Sequence, residues 1–209
     1  MTSAYMRPAT RGRRVARRAF DVVVLALAAP IVLPLVLALA ALVKLESPGP
    51  AFIRHRRVGR AGRPFDLFKL RTMVENAEEL KQELGDLNVL PWPDFKIPND
   101  PRITRVGRML RRTSLDELPQ LWNVVRGEMT LVGPRPCSIG LDRYDLWQTE
   151  RLEVTPGIVG VWQATARGKA SFPERCGLDI RQVRSLSLGR ALALSGATIV
   201  AVLTGRGAS

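Results

Sequence analysis

From Val22 to Val43 the chain runs for 22 residues without a charge, drawn only from Val, Leu, Ala, Ile and Pro. As a helix this run reaches about 33 Å, enough to cross the hydrocarbon core of a bilayer. Hydropathy alone therefore reads as one spanning helix. Two features oppose that reading. Pro30 and Pro34 sit inside the run, and each removes a helix hydrogen bond and crowds the preceding turn, so a bend is expected there. Charge is the second feature. Arg7, Arg11, Arg13, Arg14, Arg17 and Arg18 precede the run; Lys44, Arg54, Arg56, Arg57, Arg60 and Arg63 follow it, against Glu46 alone. Basic flanks stay on the cytoplasmic side, and one pass cannot keep both there. A re-entrant helix-break-helix that enters and leaves one leaflet can. A cleaved signal peptide fits badly, since no small-residue cleavage site leads into an exported-looking sequence.

The rest of the composition narrows the chemistry. The chain has 209 residues and 32 Lys+Arg against 19 Asp+Glu, a formal charge of +13. Such a balance favours an anionic partner. Two cysteines, Cys137 and Cys176, cannot make a disulfide framework. His55 is the only histidine, which argues against a zinc site and a Ser-His-Asp triad. There is no P-loop and no G-x-G-x-x-G. A membrane-tethered nucleic-acid binder is the alternative from another class. It lacks a recognisable reading motif and interleaves few aromatics with its basic residues, so no nucleic acid is expected as a partner.

Hydrophobic periodicity and turn residues predict a mainly α fold with one short β-hairpin. The hairpin falls within residues 51–73, around Gly59 and Gly62. Helices are expected over 74–84, 103–112, 119–125 and 175–183, with loop over 86–101, where four prolines fall. Residues 128–132 read as a short extended piece, and 156–163 as loop and short strand. Residues 186–203 read as an apolar helix lying in a membrane interface or facing the core. The organisation expected is a basic arm (1–18), a re-entrant membrane helix (19–44) and a catalytic domain (45–209).

Asp116 and Glu117 are adjacent carboxylates between a basic helix and the start of the next. Ser114 and Glu117 also fit a capping box, which would make both acids structural. Pro119 opposes this, because it would fall inside a helix capped at Ser114, whereas it is well placed to open one. The acids would then stand just outside that helix, free to hold a cation or attack an electrophile. In Gly133-Pro134-Arg135-Pro136 one arginine is fixed between two prolines, suited to clamping a phosphate through its planar fork. Lys69 and Arg71 share one side of a strand end by period two. For all of these basic residues, solvated surface charge is the alternative.

Five separated segments together carry a resemblance. Lys69-Leu70-Arg71-Thr72-Met73, Asp100 through Gly107, Thr113 through Trp122, Leu131 through Pro136, and Pro156-Gly157 with Val161-Trp162-Gln163 resemble the bacterial sugar transferases, the monotopic phosphoglycosyl transferases. The resemblance implies transfer of sugar 1-phosphate from a UDP-sugar to undecaprenyl phosphate, releasing UMP, at the cytoplasmic face of the bacterial inner membrane. It implies Asp116 as nucleophile through an acyl-phosphate intermediate, with Glu117 and Mg²⁺ at the same centre and Asp116 and Glu117 as metal ligands. Lys69, Arg71, Arg111 and Arg135 match basic positions that would bind substrate phosphate, while Gln163 and Arg167 fall at the donor site. The bend is assigned to Pro30 and Pro34. Departures from the family pattern are Leu33 in place of a common Ser, Ala166-Arg167-Gly168 in place of Gly-Arg, and a degraded pattern over 184–190. The form Val161-Trp162-Gln163 resembles the branch that handles hexose phosphates.

Overall fold

The computed structural model describes residues 11–90, 95–160, 162–163 and 170–185. The expected interfacial helix over 186–203, Arg167 and Val161 lie outside them. Helix α1 (Arg11–Glu46) dominates, and it stays helical through Pro30 and Pro34. The interruption expected there is not an interruption of the helix. Each proline forfeits one hydrogen bond, a small loss in 36 residues. α1 is the one described helix long and apolar enough to cross a membrane. Its middle presents Leu27, Ile31 and Leu37 to the surroundings at 68–75% exposure.

Both ends of α1 are fastened to the same body. Near its start, the Arg18 guanidinium donates to the carbonyls of Val124 and Val125. Asp21, buried, accepts from Thr130 Oγ1 at 2.6 Å and from the Leu131 amide at 3.3 Å. Near its end, Leu39, Ala40 and Val43 pack with Ala51, Leu70 and Leu110. The Glu46 carboxylate then accepts the Val106 amide at 3.0 Å, placing negative charge at a helix N-terminus where the dipole favours it.

Strands β1 (Phe52–Val58) and β2 (Pro64–Leu70) form the expected antiparallel hairpin, with Ile53 opposite Lys69 and Val58 opposite Pro64. Helix α2 (Ala77–Glu83) begins later than its sequence suggests. Helix α3 (Arg105–Thr113) is capped by Thr104, whose Oγ1 accepts the Gly107 amide at 2.9 Å. Gly107 lies so close to the hairpin's exit that a Cβ there would stand 2.0 Å from the Thr72 carbonyl oxygen. α3 stops at Ser114, in the left-handed region at φ 56°.

One 3-10 turn, Leu115–Glu117, follows, and helix α4 (Gln120–Val125) starts just after Pro119. Ser114 makes no capping hydrogen bond, so the capping box does not form and the two acids stand before the helix. Asn123, fully buried in α4, accepts the Phe68 amide at 3.1 Å and donates to the Asp66 carbonyl at 2.7 Å. It thus pairs with the free edge of β2 as a third strand would.

Strands β3 (Thr130–Val132) and β4 (Gly157–Val159) pair in parallel, a pairing that the sequence patterns do not reveal. Between them lies the 3-10 helix Leu146–Glu153. Helix α5 (Phe172–Ser185), longer than expected, packs Phe172 and Cys176 against Ile139.

The buried Asp21 contact joins α1 to β3, so breaking it should loosen the whole assembly. A hydrogen bond to a charged group contributes about 2 kcal/mol, or about 4–8 °C in a chain of this size. Asp21→Ala should therefore lower the thermal midpoint in detergent by that amount, with Thr130→Ala giving less. An unchanged midpoint would mean the contact adds nothing.

Candidate active site

Lys69, the next-to-last residue of β2, lies between the two carboxylates. Its Nζ is 3.0 Å from Asp116 Oδ2 and 3.1 Å from Glu117 Oε1. Arg135 binds the same glutamate with both arms of its fork. Nη1 donates to Glu117 Oε2 at 2.9 Å, and Nη2 pairs with Oε1. Asp116 is 6% exposed. The four residues form one continuous ionic cluster, close to the surface but mostly withdrawn from water.

Electrostatics separates the neighbouring acids. Burial alone would raise the Glu117 pKa, but Arg135 and then Lys69 outweigh it and hold it at about 2. Burial likewise pulls the Arg135 guanidinium down, and Glu117 more than restores it. Glu117 therefore carries its charge throughout the physiological range, with both oxygens held by cations. The described hydrogen bonds engage only Oδ2 of Asp116.

The backbone explains how Arg135 is aimed. Gly133 and Gly157 pack backbone to backbone, since a Cβ on Gly157 would lie 2.0 Å from the Gly133 nitrogen. The Gly133 amide donates to Val159 at 2.9 Å, and the Gly157 amide to Pro134 at 2.9 Å. These bonds pin the proline-flanked turn to β4. Arg151 anchors it from below, donating through Nη2 to the Arg135 carbonyl at 2.6 Å and pairing with Asp179 of α5. Arg151 is 3% exposed and Asp179 fully buried. This pair went unnoticed in the sequence because neither residue belongs to a local motif.

The other candidate residues separate in space. Arg111, on the last turn of α3, donates Nε to Thr72 Oγ1 at 2.8 Å. Burial lowers its pKa, and Asp116 is the leading opposing charge. Arg71 is turned away, with its guanidinium bound to the carbonyls of Ser47 and Gly49 at 2.9 and 3.5 Å and to that of Pro48. It braces the exit of α1 and is not brought to the carboxylates. Gln163 Oε1 accepts the Gly160 amide at 2.8 Å, closing a local turn. Arg57, half-buried on β1, was not singled out by pattern. Burial and then the charge of Arg135 lower its guanidinium, so it adds a further cation to this side of the hairpin.

As to a metal, Mg²⁺ is commonly held by one or two carboxylates together with substrate phosphates. Asp116 fits that role through Oδ1, which takes no hydrogen bond from the described residues, whereas Glu117 is already occupied by Arg135 and Lys69. Among the described residues no group of three or more His, Cys, Asp or Glu side chains could enclose a metal, so phosphate oxygens would have to complete the shell.

The family model described as bacterial sugar transferase matches residues 12–205. The chain belongs to that family. It is 40% identical over 198 residues to the exopolysaccharide production protein ExoY of Rhizobium meliloti, covering 92% of this chain and 88% of the relative. It is 39% identical to the UDP-glucose:undecaprenyl-phosphate glucose-1-phosphate transferase of Caulobacter vibrioides, covering 90% and 70%. It is 41% identical to the undecaprenyl-phosphate galactose phosphotransferase of Salmonella typhimurium, covering 96% of this chain and 43% of that longer protein.

If Arg151 serves this sugar transferase by aiming Arg135, the two should act as one unit. Arg151→Lys and Arg135→Lys should each lower turnover about tenfold or more. The double variant should be little worse than Arg135→Lys alone, because coupled residues are non-additive. Losses that multiply would assign Arg151 to folding alone.

Proposed function

We propose that this sugar transferase moves sugar 1-phosphate from a UDP-sugar to undecaprenyl phosphate through a covalent intermediate on Asp116, beginning the assembly of a lipid-linked glycan. The observation that carries this reading is the asymmetry of the carboxylate pair. Glu117 is held by two cations, while Asp116 shares Lys69 and, among the described residues, keeps one oxygen unengaged. The relatives' names supply the substrates. The Caulobacter protein is named for UDP-glucose and undecaprenyl phosphate, and the Salmonella protein for undecaprenyl phosphate and galactose.

The chemistry follows from the charges. Asp116 attacks the phosphorus bearing the sugar. The bond from that phosphorus to the bridging oxygen breaks, and its electron pair leaves with UMP. A phosphate oxygen of undecaprenyl phosphate then attacks the same phosphorus, and the acyl-phosphate bond breaks to return Asp116 as a carboxylate. A carboxylate approaching a diphosphate is repelled, so Lys69, Arg111 and Arg135 must screen the pentacoordinate transition state. A bound Mg²⁺, held by Asp116 and phosphate oxygens, would add positive charge there. Glu117 serves mainly to hold Arg135 and Lys69 in place.

The contacts of α1 support a placement on the membrane. Residues 18–21 and 39–46 both touch one body, although about 42 Å of helix separates Arg18 from Glu46. A helix crossing the bilayer would carry one end out of that body's reach. These contacts and the basic flanks support a re-entrant, monotopic helix on the cytoplasmic face of the inner membrane. An impermeant thiol reagent applied to intact cells should fail to label a cysteine introduced at Ala16. Labelling from outside would replace re-entry with a full crossing.

The nucleophile is tested by the first half-reaction. With UDP-sugar and Mg²⁺ but no acceptor, UMP should appear in a burst no larger than the amount of enzyme, with a sugar-phosphate adduct on the peptide containing Asp116. Asp116→Asn should abolish both, while Glu117→Gln should slow the burst without moving the adduct. An adduct that persists in Asp116→Asn would transfer the role to Glu117. A complete absence of UMP until acceptor is added would favour direct transfer.

A further inference from the structure

Arg57 is a half-buried cation with no anion bound to it. On β1 it stands opposite Phe65, while His55 stands opposite Leu67 and Ile53 opposite Lys69. Alternation puts all of these on one face of the hairpin, the face whose Lys69 meets the carboxylates. Phe65 and Leu67 are covered by Val124 and Met129, whereas His55 and Arg57 are only partly covered. Among the described residues Arg57 makes no ion pair, and its guanidinium donates only to the carbonyl of its neighbour Arg56, at 3.2 Å. The next two residues, Val58 and Gly59, line one small cavity with Pro134, Arg135, Pro136 and Cys137. This end of β1 therefore abuts the turn that carries Arg135. After burial itself, the strongest influence on Arg57 is Arg135, a like charge.

Charge around the two acids is thus uneven. Four cations, Arg57, Lys69, Arg111 and Arg135, attend two carboxylates, Asp116 and Glu117. They divide along the hairpin. Lys69 binds Asp116, and Asp116 is the leading opposing charge at Arg111. Arg135 and Arg57 lie on the side of Glu117, and there the fork of Arg135 is already committed to that acid. Arg57 is four residues, about 13 Å of strand, along β1 from the level of Lys69, with His55 halfway. Burial, then Arg57 and Lys69, hold the His55 imidazole down at about 4, so it stays uncharged between the two groups and adds no repulsion. A cation kept half out of water without an anion is costly, and an arriving anion relieves that cost.

We propose that Arg57 binds the donor phosphate that departs with the nucleotide, an inference that rests on the transferase reading above. In-line displacement puts the leaving oxygen on the far side of the reacting phosphorus from Asp116. That phosphorus lies about 3 Å from the attacking oxygen, and the departing phosphate is one bridging oxygen further on. The cation that serves it has to stand beyond the partners of Asp116 itself, as Arg57 does. An uncharged sugar offers no anion past the reacting phosphate, so an unmatched arginine belongs with the nucleotide half. When the bond from the reacting phosphorus to the bridging oxygen breaks, its electron pair stays on the departing phosphate. A planar guanidinium meets that growing charge with two parallel hydrogen bonds. Arg57 gives up no proton, because a guanidinium stays charged, so it stabilises the leaving group without acting as an acid.

The test separates binding from the two half-reactions of the full-length protein in lipid nanodiscs. Calorimetry with UMP and with uridine isolates the phosphate without chemistry. Wild type should bind UMP at least tenfold more tightly than uridine. Arg57→Ala should lose most of that preference and keep its affinity for uridine within twofold. Arg57→Gln, which retains bulk but no charge, should do the same, so a packing defect in one variant does not decide the matter, and Arg57→Lys should recover part of the preference. Without acceptor, the UMP burst of both neutral variants should slow at least tenfold. Once the adduct has formed and UMP has been removed, its transfer to undecaprenyl phosphate should stay within twofold of wild type. A burst at the wild-type rate in both neutral variants would overturn the proposal and leave the reaction standing. A normal burst with a slowed second half-reaction would overturn it too, giving Arg57 to the acceptor phosphate. Equal losses of UMP and uridine affinity would make Arg57 a packing residue, and a wild type indifferent to the phosphate would also refute its role. A wild-type protein that prefers UMP through Arg57 yet releases none from a UDP-sugar would refute the proposed reaction and leave the phosphate seat standing.

Discussion

Two ionised carboxylates placed side by side and largely out of water repel each other by several kcal/mol at an effective dielectric near 20. Lys69 and Arg135 make Asp116 and Glu117 tolerable here. They come from positions 47 and 18 residues away from their partners, so local structure cannot supply them. The hairpin exists to end on Lys69. The β3–β4 pair exists to hold the turn that carries Arg135. The 3-10 turn between α3 and α4 presents both acids at the point where those elements meet. Loss of Arg135 leaves Lys69 to serve both acids, and loss of Lys69 leaves Asp116 without its ammonium; a buried charge left unpaired costs more than the ion pair contributes when intact.

The same cations divide the labour between the acids. A carboxylate with both oxygens bound by a guanidinium and an ammonium has its electron density committed, and its low pKa marks it as a weak nucleophile. Asp116 shares one ammonium, and the basic residues near it, Lys69 and Arg111, are also those that an arriving diphosphate would draw upon. A diphosphate that engages Lys69 competes directly with Asp116 for it. Substrate binding and release of the Asp116 carboxylate from Lys69 are thus opposite sides of one exchange, on the proposed chemistry. Arg135 is less easily drawn away, since its backbone is pinned by Val159, Gly157 and Arg151.

The parts of this arrangement that were legible in the sequence are those written in short-range chemistry. Alternation and two glycines marked the hairpin, and Pro119 correctly placed the acids ahead of α4. The parts that were not legible depend on distant partners. β3 and β4 are three residues each, too short for periodicity, and their pairing rests on two glycines far apart in the chain. Lys69 and Arg71 share strand parity, yet only Lys69 reaches the acids, because the carbonyls of Ser47, Pro48 and Gly49 lie within reach of Arg71. No pattern in the sequence around residue 71 foretells three acceptors contributed by the end of α1. Arg151 and Asp179 escaped for a related reason, as a buried ion pair looks like any surface charge until its surroundings are known.

The proposed position of the site relative to the membrane rests on where polarity changes. β2 turns Phe68 toward α1 and Lys69 toward the acids, so one strand carries the boundary between an apolar and an ionic compartment. α1 is fastened to the domain at both ends, and its middle presents Leu27, Ile31 and Leu37 to the surroundings. A helix so held lies along the domain and does not pass away from it. On the proposed re-entrant placement, the ionic cluster would sit at the depth of lipid headgroups, where the proposed acceptor phosphate resides. The acceptor need not be lifted out of the bilayer, which would expose a long apolar chain to water at about 25 cal/mol per Å². A soluble donor would have to come to the surface instead, and the chain's net charge of +13 favours an anionic partner. On the proposed reaction, geometry and solvation point the same way: the charged, soluble donor comes to the lipid, because drawing the lipid chain into water would cost far more.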